Sequence, residues 1–188
     1  MAVSSENLAL GTPMPAFSLP DTVTGRVVSS AELAGKPSVV IFICNHCPYV
    51  QRIREGLAAF GRSLAELGVP MVAVSSNDPK TYPDDAPEKM KLEAQHAGYS
   101  FPYLFDESQA VAKAFRAVCT PDLYVFDGAG RLAYHGQFDD ARPKNDAPVT
   151  GADARRAIEA LLDGRSPSSE QKPSIGCSIK WKPGNEPA

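Results

Sequence analysis

Residues 35–53 read GKPSVVIFICNHCPYVQRI, and one hydrophobic pattern gives way to another at Cys44-Asn45-His46-Cys47. The apolar residues Val39 to Ile43, most of them β-branched, follow Gly35 and Pro37, which predicts a strand buried on both faces. From Tyr49 the apolar positions Val50, Ile53, Leu57, Phe60, Leu64 and Leu67 recur at helical spacing as far as Gly68, which predicts an amphipathic helix that stops there. The next run, VPMVAVSS at 69–76, predicts a second buried strand. Strand, helix and strand joined by short links make the two strands parallel neighbours. The Cys-x-x-Cys thus falls at a strand-to-helix junction.

That placement suits thiol chemistry. A cysteine at a helix N-terminus meets unpaired backbone N–H groups and the positive end of the helix dipole, and both stabilise a thiolate. The sequence assigns this position, and the greater exposure, to Cys44. Two intervening residues keep the second sulfur within bonding reach, so a mixed disulfide at Cys44 is resolvable by Cys47. His46 lies between them, where a protonated imidazole lowers a thiol pKa, and Pro48 suits the first helical turn. A zinc site needs about four ligands at recognisable spacings. Here there is no second Cys-x-x-Cys, and Cys119, Cys177 and His135 are scattered.

The whole 188-residue chain, 43% hydrophobic and 22% charged, suits one globular core. A formal net charge of -3 without a basic run disfavours a nucleic-acid partner. Residues 1–17 lack the charged and apolar parts of a signal peptide, and VVIFIC is too short to cross a bilayer. A cytoplasmic protein without a membrane partner is expected, and in that compartment the four cysteines do not read as a stapled framework. Residues 16–30 predict a hairpin of short strands, and the Pro- and Asp-rich stretch 77–90 predicts a loop opening a helix over 88–98. A strand is expected at FPYLFD (101–106), and a helix at SQAVAKAFRA (108–117) with Ser108 as N-cap. DLYVFD (122–127) and LAYHGQF (132–138) read as a hairpin, and residues 150–164 as a helix with Leu161 and Leu162 on its apolar face. The paired acids at 84–85 and 139–140 read as solvated loop carboxylates. His96 and His135 read as structural, and Cys119 as a small buried side chain. The Pro- and Ser-rich tail 166–188 carries Cys177 and the only Trp within IGCSIKW, so it is expected to dock on the domain formed by residues 1–165.

Thr120-Pro121 opens a strand after a helix, where a proline is tolerated because it need not donate a ladder bond. Together, VVIFICNHCPYV, a central insertion, TPDLYVFD and GRLAYHGQFDD resemble the thioredoxin-fold redoxins of the alkyl hydroperoxide reductase and thiol-specific antioxidant (AhpC/TSA) group, over nearly the whole chain. More narrowly, CNHCPYV, SSNDPKTYPDDAPEKM, QFDDARP and IGCSIKW resemble the peroxiredoxin-like or thioredoxin-like subfamily. The resemblance implies an α/β thioredoxin-like fold: a central mixed β-sheet flanked by helices, with an N-terminal hairpin, a helical insertion and a docked C-terminal tail. It also implies a cis peptide at Thr120-Pro121 against the dithiol, with the Thr120 backbone available to a substrate strand near Cys44. By the same resemblance Cys44 matches the thioredoxin nucleophile and Cys47 its resolving cysteine. The chain departs from peroxiredoxins in lacking Thr or Ser three residues before either cysteine, where it has Ile41 and Cys44, and in lacking their site arginine. From thioredoxins it departs by Ile43 in place of Trp and Ser38 in place of a buried acid.

The expected function is thiol-disulfide oxidoreductase chemistry by Cys44, Cys47, His46, Thr120 and Pro121, with no cofactor. Its expected partners are a disulfide-containing protein or small-molecule disulfide and a thiol electron donor. A thiol peroxidase using Cys44 or Cys47, and a metal-binding or redox-sensing module without turnover, are the alternatives. Cys177 is a candidate additional resolving cysteine or redox-dependent latch.

Overall fold

The computed structural model describes residues 2–6 and 8–187. In chain order its elements are β1 (Ala2–Ser4), β2 (Ser18–Pro20), β3 (Val27–Ser29), β4 (Ser38–Phe42), α1 (Pro48–Glu66), β5 (Met71–Ser75), α2 (Pro87–Ala97), β6 (Tyr103–Phe105), α3 (Ala110–Ala114), β7 (Cys119–Thr120), β8 (Asp122–Phe126), β9 (Leu132–Gly136), α4 (Ala152–Leu162) and β10 (Ile175–Ser178). The apolar run after Pro37 becomes β4, the centre of a five-stranded sheet of order β6-β5-β4-β8-β9. β4, β5 and β6 run parallel, whereas β8 runs antiparallel to both of its neighbours, β4 and β9, so the sheet is mixed.

Strand alternation splits the core. Val39, Ile41 and Ile43 face α1 and α4, where Ile53, Leu57, Phe60, Ala157 and Ile158 close over them. Val40 and Phe42 face the opposite layer, which holds Phe17, Val28 and Leu33 from the N-terminal region and Phe115 just after α3. Each large side chain fully buried here contributes about 1.5–3 kcal/mol, which is why the 3.6-residue pattern of α1 was so marked. α1 begins at Pro48 with Cys47 as its N-cap, and it ends at Leu67 and the left-handed Gly68. β2 and β3 form the expected N-terminal hairpin.

Two local expectations are corrected. The N-cap position of α3 is Gln109, at φ 63, and not Ser108, whose hydroxyl nevertheless accepts the Ala110 N–H at 3.3 Å; the buried Asp106 carboxylate accepts the Ala112 N–H at 3.0 Å. Leu162 is 44% exposed, because Ala154, Ala157 and Ile158 form the buried face of α4 and residue 162 turns past it.

The tail docks as a strand. β10 lies between β1 and β7 in a separate three-stranded antiparallel sheet, with Cys177 opposite Ala2 on one side and Thr120 on the other. Ser174 and Ser5 exchange backbone and hydroxyl hydrogen bonds, and the Ile179 N–H bonds the Val118 carbonyl at 3.0 Å. Beyond the strand, Lys180 bonds Asn77 and Asp78, while Trp181 packs against the Phe42 side of the core. Gly176 makes the approach feasible: a Cβ there would run into the Thr120 carbonyl and lie 3.1 Å from Pro121 Cδ. Gly176→Ala is therefore expected to lower the denaturant unfolding free energy by about 1–3 kcal/mol through overpacking. Gly128→Ala, whose Cβ would meet nothing closer than 3.6 Å, should stay within about 0.5 kcal/mol of the unmodified chain. Equal effects of the two changes would refute this account of the tail.

Candidate active site

The connection from β4 to α1 carries the dithiol. Both sulfur-bearing residues are buried, Cys44 at 1% exposure and Cys47 at 0%, which corrects the expectation that Cys44 is the accessible one. The cause is the tail sheet, which sets Thr120 of β7 and Cys177 of β10 against them. Thr120-Pro121 is cis, as the resemblance implied, and Thr120 contacts both sulfurs. Its hydroxyl lies 3.3 Å from Cys44 Sγ, and its carbonyl accepts the Cys47 S–H at 3.2 Å. Its backbone is not free for a substrate strand, because Cys177 of β10 already pairs with it.

Asp85 forms the floor of the junction. It is fully buried, not solvated, and its Oδ1 accepts the N–H groups of Asn45 at 2.8 Å and His46 at 3.3 Å. Its Oδ2 accepts Asn77 Nδ2 at 2.8 Å and His46 Nδ1 at 2.5 Å. In the tautomer with a proton on Nδ1, His46 donates it to Asp85, while Cys44 Sγ is 3.9 Å from the same nitrogen. Tyr82 stacks on the imidazole with ring centroids 5.0 Å apart. The insertion between β5 and β6 therefore supplies the groups that shape the dithiol loop. Asp139 is likewise buried and caps the turn at Thr150 and Gly151, whereas Asp84 and Asp140 are exposed.

Cys44, His46 and Asp85 place one potential metal-ligand atom each within 4.8 Å of one another. Four N–H donors, however, already occupy the roughly four lone-pair positions of Asp85. The donor set fits a hydrogen-bonded platform better than a cation. His135 is not part of the cluster: its Nε2 bonds Asp122 at 3.0 Å, its Nδ1 accepts the Leu8 N–H, and it stacks on Tyr124. His96 is exposed on the last turn of α2. Cys119 is buried with its S–H toward the Pro121 carbonyl at 3.8 Å, and burial raises its pKa.

Electrostatics separate the two site thiols. Cys47 is pushed down to about 5, first by a hydrogen bond from the Cys44 thiol and then by the Val50 N–H and the thiol and N–H of Cys177, against the opposing effect of burial. Cys44 is raised, first because it is the donor to Cys47, then by burial and the nearby Asp85 carboxylate. The Thr120 carbonyl favours protonated Cys47, yet the donors around the sulfur outweigh it. The lower pKa therefore falls to Cys47, the N-cap of α1, and the His46 ring expected to serve Cys44 is hydrogen-bonded to Asp85. Sequence reasoning missed Asp85 because nothing in PDDAPE distinguishes its second acid from its first.

Residues 10–135 match the model of the AhpC/TSA family. Among solved structures, an uncharacterized conserved protein from Geobacillus kaustophilus is 48% identical, with 98% of each chain covered and a TM-score of 0.96. A hypothetical protein from Sinorhizobium meliloti 1021 is 47% identical, covering 96% of this chain and 99% of that one, with a TM-score of 0.93. A thiol:disulfide interchange protein of the thioredoxin family from Chlorobium tepidum TLS shares the fold at 22% identity, covering 83% of this chain and 99% of that one, with a TM-score of 0.64. No curated protein matches the chain.

The pKa order has a pH signature. A folded Cys47 pKa of about 5 lies below the free-cysteine value of about 8.5, so its ionisation stabilises the fold fully above the latter and not at all below the former. Under reducing conditions, the unfolding free energy of the unmodified chain relative to Cys47→Ser should rise as pH increases from about 5 to about 8. A difference independent of pH would contradict the assignment.

Proposed function

The chain belongs to the AhpC/TSA family, and within it we propose that it acts as a thiol-disulfide oxidoreductase whose reducing centre is the Cys44–Cys47 dithiol. The observation that carries this reading is the convergence of both sulfurs of the Cys-x-x-Cys on Thr120, whose hydroxyl lies 3.3 Å from Cys44 Sγ and whose carbonyl lies 3.2 Å from Cys47 Sγ. A disulfide sulfur presented to Cys47 meets the thiolate. The Cys47 sulfur bonds to it and the partner sulfur leaves as a thiolate. Cys44 then loses its proton to the leaving thiolate or to water and attacks Cys47 Sγ, which closes the Cys44–Cys47 disulfide and releases the second substrate thiol. Two electrons pass from the dithiol to the substrate disulfide, and an external thiol donor restores them.

The order differs from the one the resemblance suggested, since the opposite pKa shifts of the two thiols favour Cys47 over Cys44 as the thiolate. Thr120 positions both sulfurs, Pro121 closes the edge beside them, and His46 holds the loop through Asp85. A groove lined by Tyr49, Ile53, Pro121, Leu123, Arg142 and Ile175 flanks the site on its Pro121 side. Peroxide reduction has less support, because among the described residues no arginine hydrogen-bonds either sulfur, and a leaving oxygen needs preorganised donors.

The test is reduction of glutathione disulfide or insulin, with Cys44→Ser and Cys47→Ser compared against the unmodified chain. Both substitutions should abolish turnover. A parent rate no greater than that of either variant would exclude the reading, and peroxide consumption coupled to a thiol donor separates the peroxidase alternative.

A further inference from the structure

The buried dithiol raises a problem of access: neither Cys44 nor Cys47 exposes more than 1% of its surface, yet disulfide exchange requires sulfur to meet sulfur in line. The third cysteine of the neighbourhood is different. Cys177 is only partly buried, and it lies in the middle strand of the tail sheet, directly opposite Thr120. It packs against the cluster that holds Cys47, across from the Thr120 whose carbonyl contacts the Cys47 sulfur, and its thiol and N–H help lower the Cys47 pKa. β10 thus occupies the Thr120 edge that the resemblance reserved for a substrate strand, and it brings a cysteine with it. The docking is specific, since Gly176 leaves room for the Thr120 carbonyl and no residue with a Cβ would. Asn77 further ties the tail to the loop floor, donating to Asp85 and accepting the Lys180 N–H at 2.8 Å.

We propose that Cys177 is a third redox thiol, carried on a built-in pseudo-substrate strand, which relays disulfide exchange between solvent and the buried Cys44–Cys47 pair. The proposal rests on the dithiol reading above and names the sulfur that Cys47 attacks. Cys177, whose thiol partial burial and Cys47 push up to about 11, attacks an external disulfide RSSR as it loses its proton, forming Cys177–S–S–R and releasing RS⁻, which takes up that proton. The Cys47 thiolate attacks Cys177 Sγ, forming the Cys47–Cys177 disulfide and releasing the second RS⁻. Cys44 attacks Cys47 Sγ, forming Cys44–Cys47 and passing its proton to the departing Cys177 thiolate, while the second RS⁻ takes from water the proton that Cys47 had released there. The sum oxidises two thiols to one disulfide and reduces RSSR to two RSH. Reduction by an external thiol runs the same steps backwards. In that direction the donor attacks the more accessible sulfur of Cys47–Cys177, and the low-pKa Cys47 is the better leaving group.

The experiment uses the full chain with glutathione disulfide as the oxidant, alkylation of remaining thiols and non-reducing peptide mapping. Cys44→Ser should accumulate an intrachain Cys47–Cys177 disulfide, and acid-quenched early samples of the unmodified chain should contain the same link before Cys44–Cys47 dominates. Cys177→Ser, and Cys177→Ala as a second variant, should reduce glutathione disulfide at least roughly tenfold more slowly. The relay is overturned if Cys177 remains alkylatable throughout while Cys47 carries glutathione, or if both Cys177 variants match the parent rate. Absence of a Cys44–Cys47 disulfide in the unmodified chain would instead overturn the dithiol reading and the relay with it.

Discussion

Thr120 bonds in three directions, and the arrangement of the site depends on its doing so. Its hydroxyl meets Cys44, its carbonyl meets Cys47, and its backbone pairs with Cys177. One residue therefore fixes the relative positions of three sulfurs that come from places far apart in the chain. Cis geometry at Pro121 turns the strand so that the Thr120 carbonyl lies beside Cys47 while β8 continues into the central sheet. The close approach of the tail is in turn conditional on Gly176, which has no Cβ to collide with that carbonyl.

A second constraint is the saturated carboxylate beneath the dithiol. Burying Asp85 is costly unless its oxygens are paired, and four N–H donors from the loop, the imidazole and Asn77 provide the pairing. The same charge disfavours a thiolate at Cys44, whereas the helix N-terminus, the Val50 N–H and the Cys177 N–H favour one at Cys47. The two cysteines thus have different roles before any substrate arrives. Asn77 links this floor to the tail, so the two non-local parts of the site share a hydrogen-bond network.

Much of the central fold was legible because it rests on local periodicity. The β-branched run before Cys44 and the spacing from Val50 to Leu64 mark β4 and α1, and the hairpin of β8 and β9 carries its own turn at Gly130. IGCSIKW announced a docked tail because apolar and aromatic residues stood out in a polar context. What remained hidden depends on partners remote in sequence. Asp85 and Asp139 look like their exposed neighbours Asp84 and Asp140 until the fold encloses them. The three-residue β1 has no periodic signal, and the depth of Cys44 comes from elements that begin some seventy-five residues later. The assignment of the thiolate to Cys44 rests on a strand-to-helix junction, the neighbouring His46 and the thioredoxin resemblance, whereas the lower pKa of Cys47 follows from the Cys44 thiol, Val50 and Cys177 around it and from Asp85 beside Cys44.

The central claim is that Cys44 and Cys47 form one two-electron couple. The most direct measurement equilibrates the full chain in graded dithiothreitol redox buffers, traps free thiols by alkylation and maps each cysteine by mass. The account predicts that Cys44 and Cys47 lose alkylation together, along a single curve with the slope of a two-electron transition. Loss of one without the other, or retention of both under buffers that oxidise ordinary dithiols, would contradict it.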